Sequence, residues 1–221
     1  MIESIDNMIQ LVVTGACTSI CLYRAVRGQG RAWTLLGLFS GIFFLGDLYW
    51  QLFLLFYQDT PEHYTVSELS WYTSYLFLLL LVIYVRVEIC GHRMPTMQQQ
   101  GGLPGLARSF PPVLWCIPLF TGGMCVLFMQ WGDYVSNLIA AGLMTGLLWH
   151  ALSGILAVRE DPGKRMLFSV ILLFCLAEYA MWVSSCFWDG DTLANPYYWF
   201  DLLLSCAFLL FLPALRKAVG R

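Results

Sequence analysis

The feature that most limits what this chain can fold into is the length of its uncharged apolar runs. A bilayer core takes a helix of about 20 mostly apolar residues. Seven stretches meet that requirement: residues 8–26, 33–57, 66–87, 112–130, 134–158, 166–187 and 196–215. In hydrocarbon each segment must pair its own backbone groups, which makes these stretches helices. Runs such as Leu78-Leu79-Leu80-Leu81 lack the alternation of a membrane barrel strand. The composition agrees, with 59% hydrophobic and 12% charged residues and a mean hydropathy of +0.67. That charge content is roughly half that of an ordinary soluble domain. A water-soluble protein of this size has too little interior for so much apolar surface. Soluble enzymes and nucleic-acid binders are therefore excluded as classes. The acidic opening, Met1 to Asn7, lacks the basic start of a cleavable signal peptide, so the first span is expected to be retained.

Basic residues orient the spans. Arg24, Arg27 and Arg31 follow the first; Arg86, Arg93 and Arg108 lie between the third and fourth; Arg159, Lys164 and Arg165 join the fifth and sixth; Arg216, Lys217 and Arg221 close the chain. With seven spans, all 12 Lys and Arg fall on one side. Glu3, Asp6, Asp59, Glu62, Asp133, Asp189 and Asp191 fall on the other. The expectation is an all-α integral membrane protein, a seven-transmembrane-helix bundle with its N-terminus outside and C-terminus inside. A cell membrane, plasma or bacterial inner, is its expected location. Tyr57, Tyr64, Trp71, Trp131, Trp188 and Trp199 gather at the outer ends and Trp33, Trp115 and Trp149 toward the inner ones, as interface anchors do. The one long connection, Gly91 to Phe110, is Gly- and Pro-rich and reads as a flexible cytoplasmic linker through which a partner could attach.

The whole chain, 1–221, reads as a single membrane domain. Shifted by 131 residues, it aligns with itself without gaps. Thr14-Gly15 meets Thr145-Gly146, Phe43 meets Phe174, Gly46-Asp47 meets Ala177-Glu178, Ser74 meets Ser205 and Arg86 meets Lys217. The register predicts two copies, about 8–88 and 134–217, with residues 112–130 as a connector helix. This 3+1+3 layout of parallel repeats would place a shared site near the midplane between them. It occurs in small sugar and vitamin transporters and also suits seven-helix receptors, so it does not choose a function.

Asp47 and Glu178 are the informative pair. Each lies on the order of 20 Å along its helix from the basic end, at 1.5 Å per residue. Ionisable groups at such depth are costly and face the bundle interior or water. Two carboxyls facing each other can share a proton, hold a cation or bond a polar ligand; the alternative is neutral acids bonded to polar neighbours. Trp50 and Gln51 accompany Asp47, and Trp182 follows Glu178 by one turn. Glu68 and Asp201 lie near the outer starts of their helices, where the dipole favours acids. They are further ligand candidates, as an acidic vestibule. His150 is a candidate proton relay, with a hydrogen-bonded packing role the more ordinary reading. The lone histidines form no metal cluster, and no cofactor motif occurs. Packing accounts for the eight scattered cysteines, with a Cys125–Cys186 bridge weighed against it. The last span has no lysine to form a retinal Schiff base.

Arg31 to Trp50, RAWTLLGLFSGIFFLGDLYW, resembles a motif of the lysoplasmalogenase-like (YhhN) membrane family, in which Gly-Asp sits within an apolar helix. Leu173 to Trp182, LFCLAEYAMW, is similar to that family's second motif, with Ala177-Glu178 where the family has Ser-Asp. The resemblance covers two short segments and implies a hydrolase of vinyl-ether lysolipids, with Asp47 and Glu178 in the acid positions. The family usually has eight spans.

Three classes of function remain. The first is a small-solute or ion transporter with a protonatable carboxylate pair. The second is a seven-helix sensor or partner subunit, and the third an intramembrane lysolipid hydrolase, in which Asp47 and Glu178 would be catalytic. Each has the lipid bilayer as its partner and a small molecule or lipid as its ligand; no nucleic acid, metal or cofactor is expected.

Overall fold

The computed structural model describes residues 2–57, 65–89, 91, 117, 121–123, 125, 134–158, 160–188 and 190–220. Among these there are helices and no strands. The six long helices are α1 (Ile2–Val26), α2 (Arg31–Tyr57), α3 (Val66–Tyr84), α4 (Tyr134–Ala157), α5 (Pro162–Phe187) and α6 (Pro196–Ala218). A π-helical turn, Val85–Ile89, continues α3. Each of the six is long and apolar enough to cross a membrane. The expected span at 112–130 and the linker beyond Gly91 fall mainly outside the described residues.

Local chemistry sets the ends. At the end of α1, Gly28 and Gly30 adopt φ of 74° and 103°, a region open to glycine at no cost. Gly28 N–H donates to the Ala25 carbonyl at 2.9 Å and Gln29 N–H to that of Arg24 at 3.1 Å, the paired bonds of a Schellman cap. Asp161 caps α5, accepting from the backbone N–H of Gly163 and Lys164 at 3.1 Å each, and Pro162 opens the helix. Asn195 and Pro196 repeat this device for α6, with Tyr197 N–H donating to Asn195 Oδ1 at 2.9 Å. Two boundaries differ from expectation. The first helix begins at Ile2 rather than residue 8, because nothing in Glu3 to Asn7 breaks a helix and Glu3 suits its first turn. The sixth expected span begins at Pro162, where the cap places it.

Neighbouring helices pack in a closed ring: α1 on α2, α2 on α3, α3 on α4, α4 on α5, α5 on α6, and α6 on α1. Five of these junctions join helices that are consecutive among the described ones, and of these five the α3–α4 junction alone is not antiparallel. Leu79 lies against Gly146, and seven residues on, the Arg86 guanidinium stands 3.3 Å from His150 Nδ1. Both helices advance together, so α3 and α4 run parallel. The starts of α1, α3 and α6 meet the ends of α2 and α5 at one end of the ring, here termed the acidic end. Every described Lys and Arg lies toward the opposite, basic end.

The ring is filled by aromatics. Phe39 of α2 stacks on Phe208 of α6 at 5.1 Å between centroids and meets Phe174 of α5 edge-on at 5.3 Å. Phe43 packs on Phe208 at 4.9 Å and Phe211 closes on Phe39 at 5.5 Å. Phe39, Phe174 and Phe208 are essentially without exposure. Polarity is inverted relative to a soluble bundle. Val12, Leu55 and Leu69 are more than half exposed, whereas Asp6, Gln10, Thr14, Asp47, Glu178 and Asp201 are buried. Buried polar groups with an apolar exterior are what a helix bundle in lipid requires.

Candidate functional site

Above the aromatic plug, toward the acidic end, the ring encloses a cavity of about 320 Å³. Five helices supply its wall: Glu3, Asn7 and Gln10 from α1; Phe43, Asp47 and Trp50 from α2; Trp71 from α3; Glu178, Met181, Trp182 and Ser185 from α5; Tyr197 and Tyr198 from α6. Its size is at the lower end of the range for small-ligand pockets.

Asp47 and Glu178 both line this cavity, at 5% and 2% exposure. Their hydrogen bonds differ. Trp71 Nε1 donates to Asp47 Oδ1 at 3.1 Å. That approach depends on Gly46, where a Cβ would fall 2.9 Å from the indole nitrogen. The Thr14 hydroxyl stands 3.5 Å from Asp47 Oδ2, but it also donates to the Gln10 carbonyl at 2.8 Å. A hydroxyl has one proton and two lone pairs. With that proton on the shorter bond, Thr14 turns a lone pair to Asp47, an arrangement completed when Asp47 itself carries a proton. Glu178 Oε1 accepts from the Tyr75 hydroxyl of α3, and Trp182 also interacts with this carboxyl. Oε2 of Glu178 has no hydrogen-bond partner. A single helix, α3, thus supplies a donor to each acid, Trp71 and Tyr75 one turn apart.

A second acidic layer flanks the cavity. Asp201, 2% exposed, accepts from Gln10 Nε2 at 2.6 Å and interacts with Asp6. At the rim, Asp191 accepts from the backbone N–H of Glu3 at 3.1 Å and the Tyr198 hydroxyl at 3.0 Å, tying the start of α1 to the α5–α6 loop. Among the described residues no lysine, arginine or histidine lines the cavity.

The structure brings Asp47, Trp50, Glu178 and Trp182 together around one space. Asp201 stands behind Gln10 rather than in the wall. Gln51 turns away and donates from Nε2 to Ser4 Oγ at 3.3 Å. Glu68, half-buried in the first turn of α3, does not line the cavity, because Ser67 and Trp71 occupy the inward face of that turn. His150 lies toward the basic end against Arg86, separated from the acids by the aromatic plug; it belongs to no site with them. Arg86, placed by the sequence reading between the third and fourth spans, is 8% exposed, so one basic side chain is buried in the bundle. Cys125 and Cys186 are free thiols, without the bridge considered for them.

Asn7, Gln10, Tyr75 and the Tyr197–Tyr198 pair were not singled out from sequence, and Trp71 was read only as an interface anchor. The α1 residues carried a usable signal. Asp6, Gln10, Thr14, Cys17 and Cys21 recur every three or four positions and are all buried, a polar stripe on one face of an otherwise apolar helix.

No family model, curated protein or solved structure matches this chain.

Proposed function

We propose that this protein is a small-solute transporter whose solute binds over the Asp47–Glu178 pair. The observation that carries the reading is a cavity that reaches buried carboxyls from one end and stops on a plug of Phe39, Phe43, Phe174 and Phe208. A site accessible from one side and blocked below by packed side chains is one state of an alternating-access cycle. Polar groups on both acids allow a proton to be held and released beside the solute.

The seven-span topology is part of the proposal. Parallel packing of α3 and α4 leaves the end of one and the start of the other at opposite ends of the bundle. The chain between residues 90 and 133 therefore has to cross back, which supports a connector helix at 112–130. The ring order also maps onto itself under the shift of 131 residues, α1–α2–α3 onto α4–α5–α6, and this favours the repeat. With the basic end inside, the cavity opens outward.

In proteoliposomes, the wild type should carry a solute in a pH-dependent manner, and Asp47→Asn/Glu178→Gln should abolish that flux. Equal flux in the double variant overturns the reading. The lysolipid-hydrolase reading has one observation in its favour: the two carboxyls have unequal surroundings, as a general acid and base need. Vinyl-ether lysolipid turnover by pure protein, lost in Asp47→Asn, is its requirement.

A further inference from the structure

We infer that the solute of this site is a small organic cation, an ammonium carrying apolar groups, and that Glu178 rather than Asp47 is the carboxylate that meets it. The inference rests on the cavity reading above and adds the ligand's chemistry and an unequal division of labour between the acids.

Three observations carry it. Glu178 is buried at 2% exposure and keeps Oε2 without a partner while lining the cavity. A buried carboxylate oxygen left unpaired is costly unless something supplies its donor. Asp47, in contrast, has the Trp71 indole on one oxygen and Thr14 opposite the other. Its polar needs are met within the protein, and it positions Trp71 rather than reaching for the ligand.

The second observation is the sign of the surroundings. Glu3, Asp47 and Glu178 line the space, and Asp201 and Asp6 stand behind Gln10. Among the described residues no basic side chain lines it to supply a counter-charge. A charge in such a place needs an opposite charge, and a bound cation provides one. An anion would find neutral donors such as the Asn7 amide, but no opposite charge among the described lining residues.

The third is the wall. Trp50 and Trp71 stand 5.6 Å apart between ring centroids, inclined at 40°, and Trp182, Phe43 and Tyr197 continue the aromatic surface. Indole and phenol faces attract cations through their quadrupoles, tryptophan most strongly, and the effect grows when water is excluded. A bare metal ion would ask for several oxygen ligands at close range; this wall offers rings instead. An ammonium with methyl or methylene groups uses both the rings and the unpartnered Oε2 of Glu178.

The test uses the full-length protein in detergent and measures ligand-induced shifts in melting temperature. Choline is compared with its uncharged carbon isostere, dimethylbutanol, and with sodium, glucose and acetate. The predicted result is a saturable shift with choline and none with the isostere, glucose or acetate. Glu178→Gln should weaken choline binding by about a hundredfold, the loss typical of a desolvated charge partner. Asp47→Asn should weaken it less than tenfold. Equal shifts by choline and dimethylbutanol would overturn the cation assignment while leaving a solute site in place. A shift by glucose or sodium that vanishes in Glu178→Gln would do the same. An equal loss in Asp47→Asn and Glu178→Gln would overturn the division of labour. If Glu178→Gln fails to fold, the choline–isostere comparison in the wild type decides alone. Choline binding without flux in proteoliposomes would keep the ligand class and contradict the transporter reading; no shift with any probe would remove the cation inference outright.

Discussion

Gly46→Ala tests the seat of Trp71 on Asp47 with a single methyl group. The added carbon would lie 2.9 Å from Trp71 Nε1, 3.0 Å from its Cδ1 and 3.2 Å from the Ser67 carbonyl oxygen. Something must move. If the helices stay in register and the indole is squeezed, overpacking costs about 1–3 kcal/mol. If the indole swings away, the strain is relieved but the bond to Asp47 is lost, again about 1–3 kcal/mol for a buried polar group. These outcomes are alternatives, so they do not add. Alanine's better helix propensity returns at most about 1 kcal/mol. The expected net loss is thus about 1–2 kcal/mol. Gly142 is the control, because a Cβ there meets nothing within 4 Å; Gly142→Ala should be neutral or slightly stabilising. Unfolding of both variants in micelles gives the stability. A difference ultraviolet resonance Raman spectrum against Trp71→Phe reports the indole hydrogen bond. Gly46→Ala as stable as Gly142→Ala, with the Trp71 band unmoved, would refute this packing of α2 against α3.

Other expectations follow from the same contacts. Phe39→Ala empties the centre of the plug, where Phe39 meets Phe174, Phe208 and Phe211; it should cost about 3–5 kcal/mol and turn gated flux into leak, which vesicle dye-release measures. Asp161→Ala removes the α5 cap and should cost about 1 kcal/mol in chemical unfolding. The Lys164 backbone N–H, followed by the Lys164 side chain, holds the Asp161 carboxyl below its usual 3.8. A depressed folded value means that the cap's contribution is complete above the unfolded value and fades as pH falls through the folded one. The variant's deficit should therefore be constant from about pH 5 to 8 and shrink below about pH 4. Reporter tags inserted after Gln100 and at Gly190 should be accessible from opposite faces of the membrane; accessibility from one face would contradict a crossing between residues 90 and 133.

The apolar runs and the deep acids were legible because both are properties of single segments. A helix must be long enough to span, and a carboxyl within it has few ways to exist. The partners of those acids are properties of the ring. Trp71 reads from sequence as an interface anchor, since an indole near the end of a span ordinarily is one; only the missing Cβ at Gly46 lets it reach Asp47. Tyr75 has no local signature, and its contact with Glu178 depends on α3 facing α5 across the ring. His150 fits its ordinary reading as a hydrogen-bonded packing residue, but its partner was hidden for a related reason. Depth along a helix does not fix rotation or neighbour, and Arg86, assigned to a loop, extends α3 by a π turn and meets it. The Asp6–Gln10–Thr14 stripe was readable, but an apolar-span boundary at residue 8 separated Asp6 from the rest.

The most direct test of the account treats the protein with a hydrophobic carbodiimide, which adds to carboxyls in apolar surroundings, and maps the adducts by mass spectrometry. Glu178, which lines the cavity and whose buried Oε2 has no hydrogen-bond partner, should carry the adduct in preference to Asp47, and solute uptake should fall in proportion. Modification of Glu178 with uptake intact, or no adduct at either acid, would contradict the claim that the cavity above these two carboxyls is the working site.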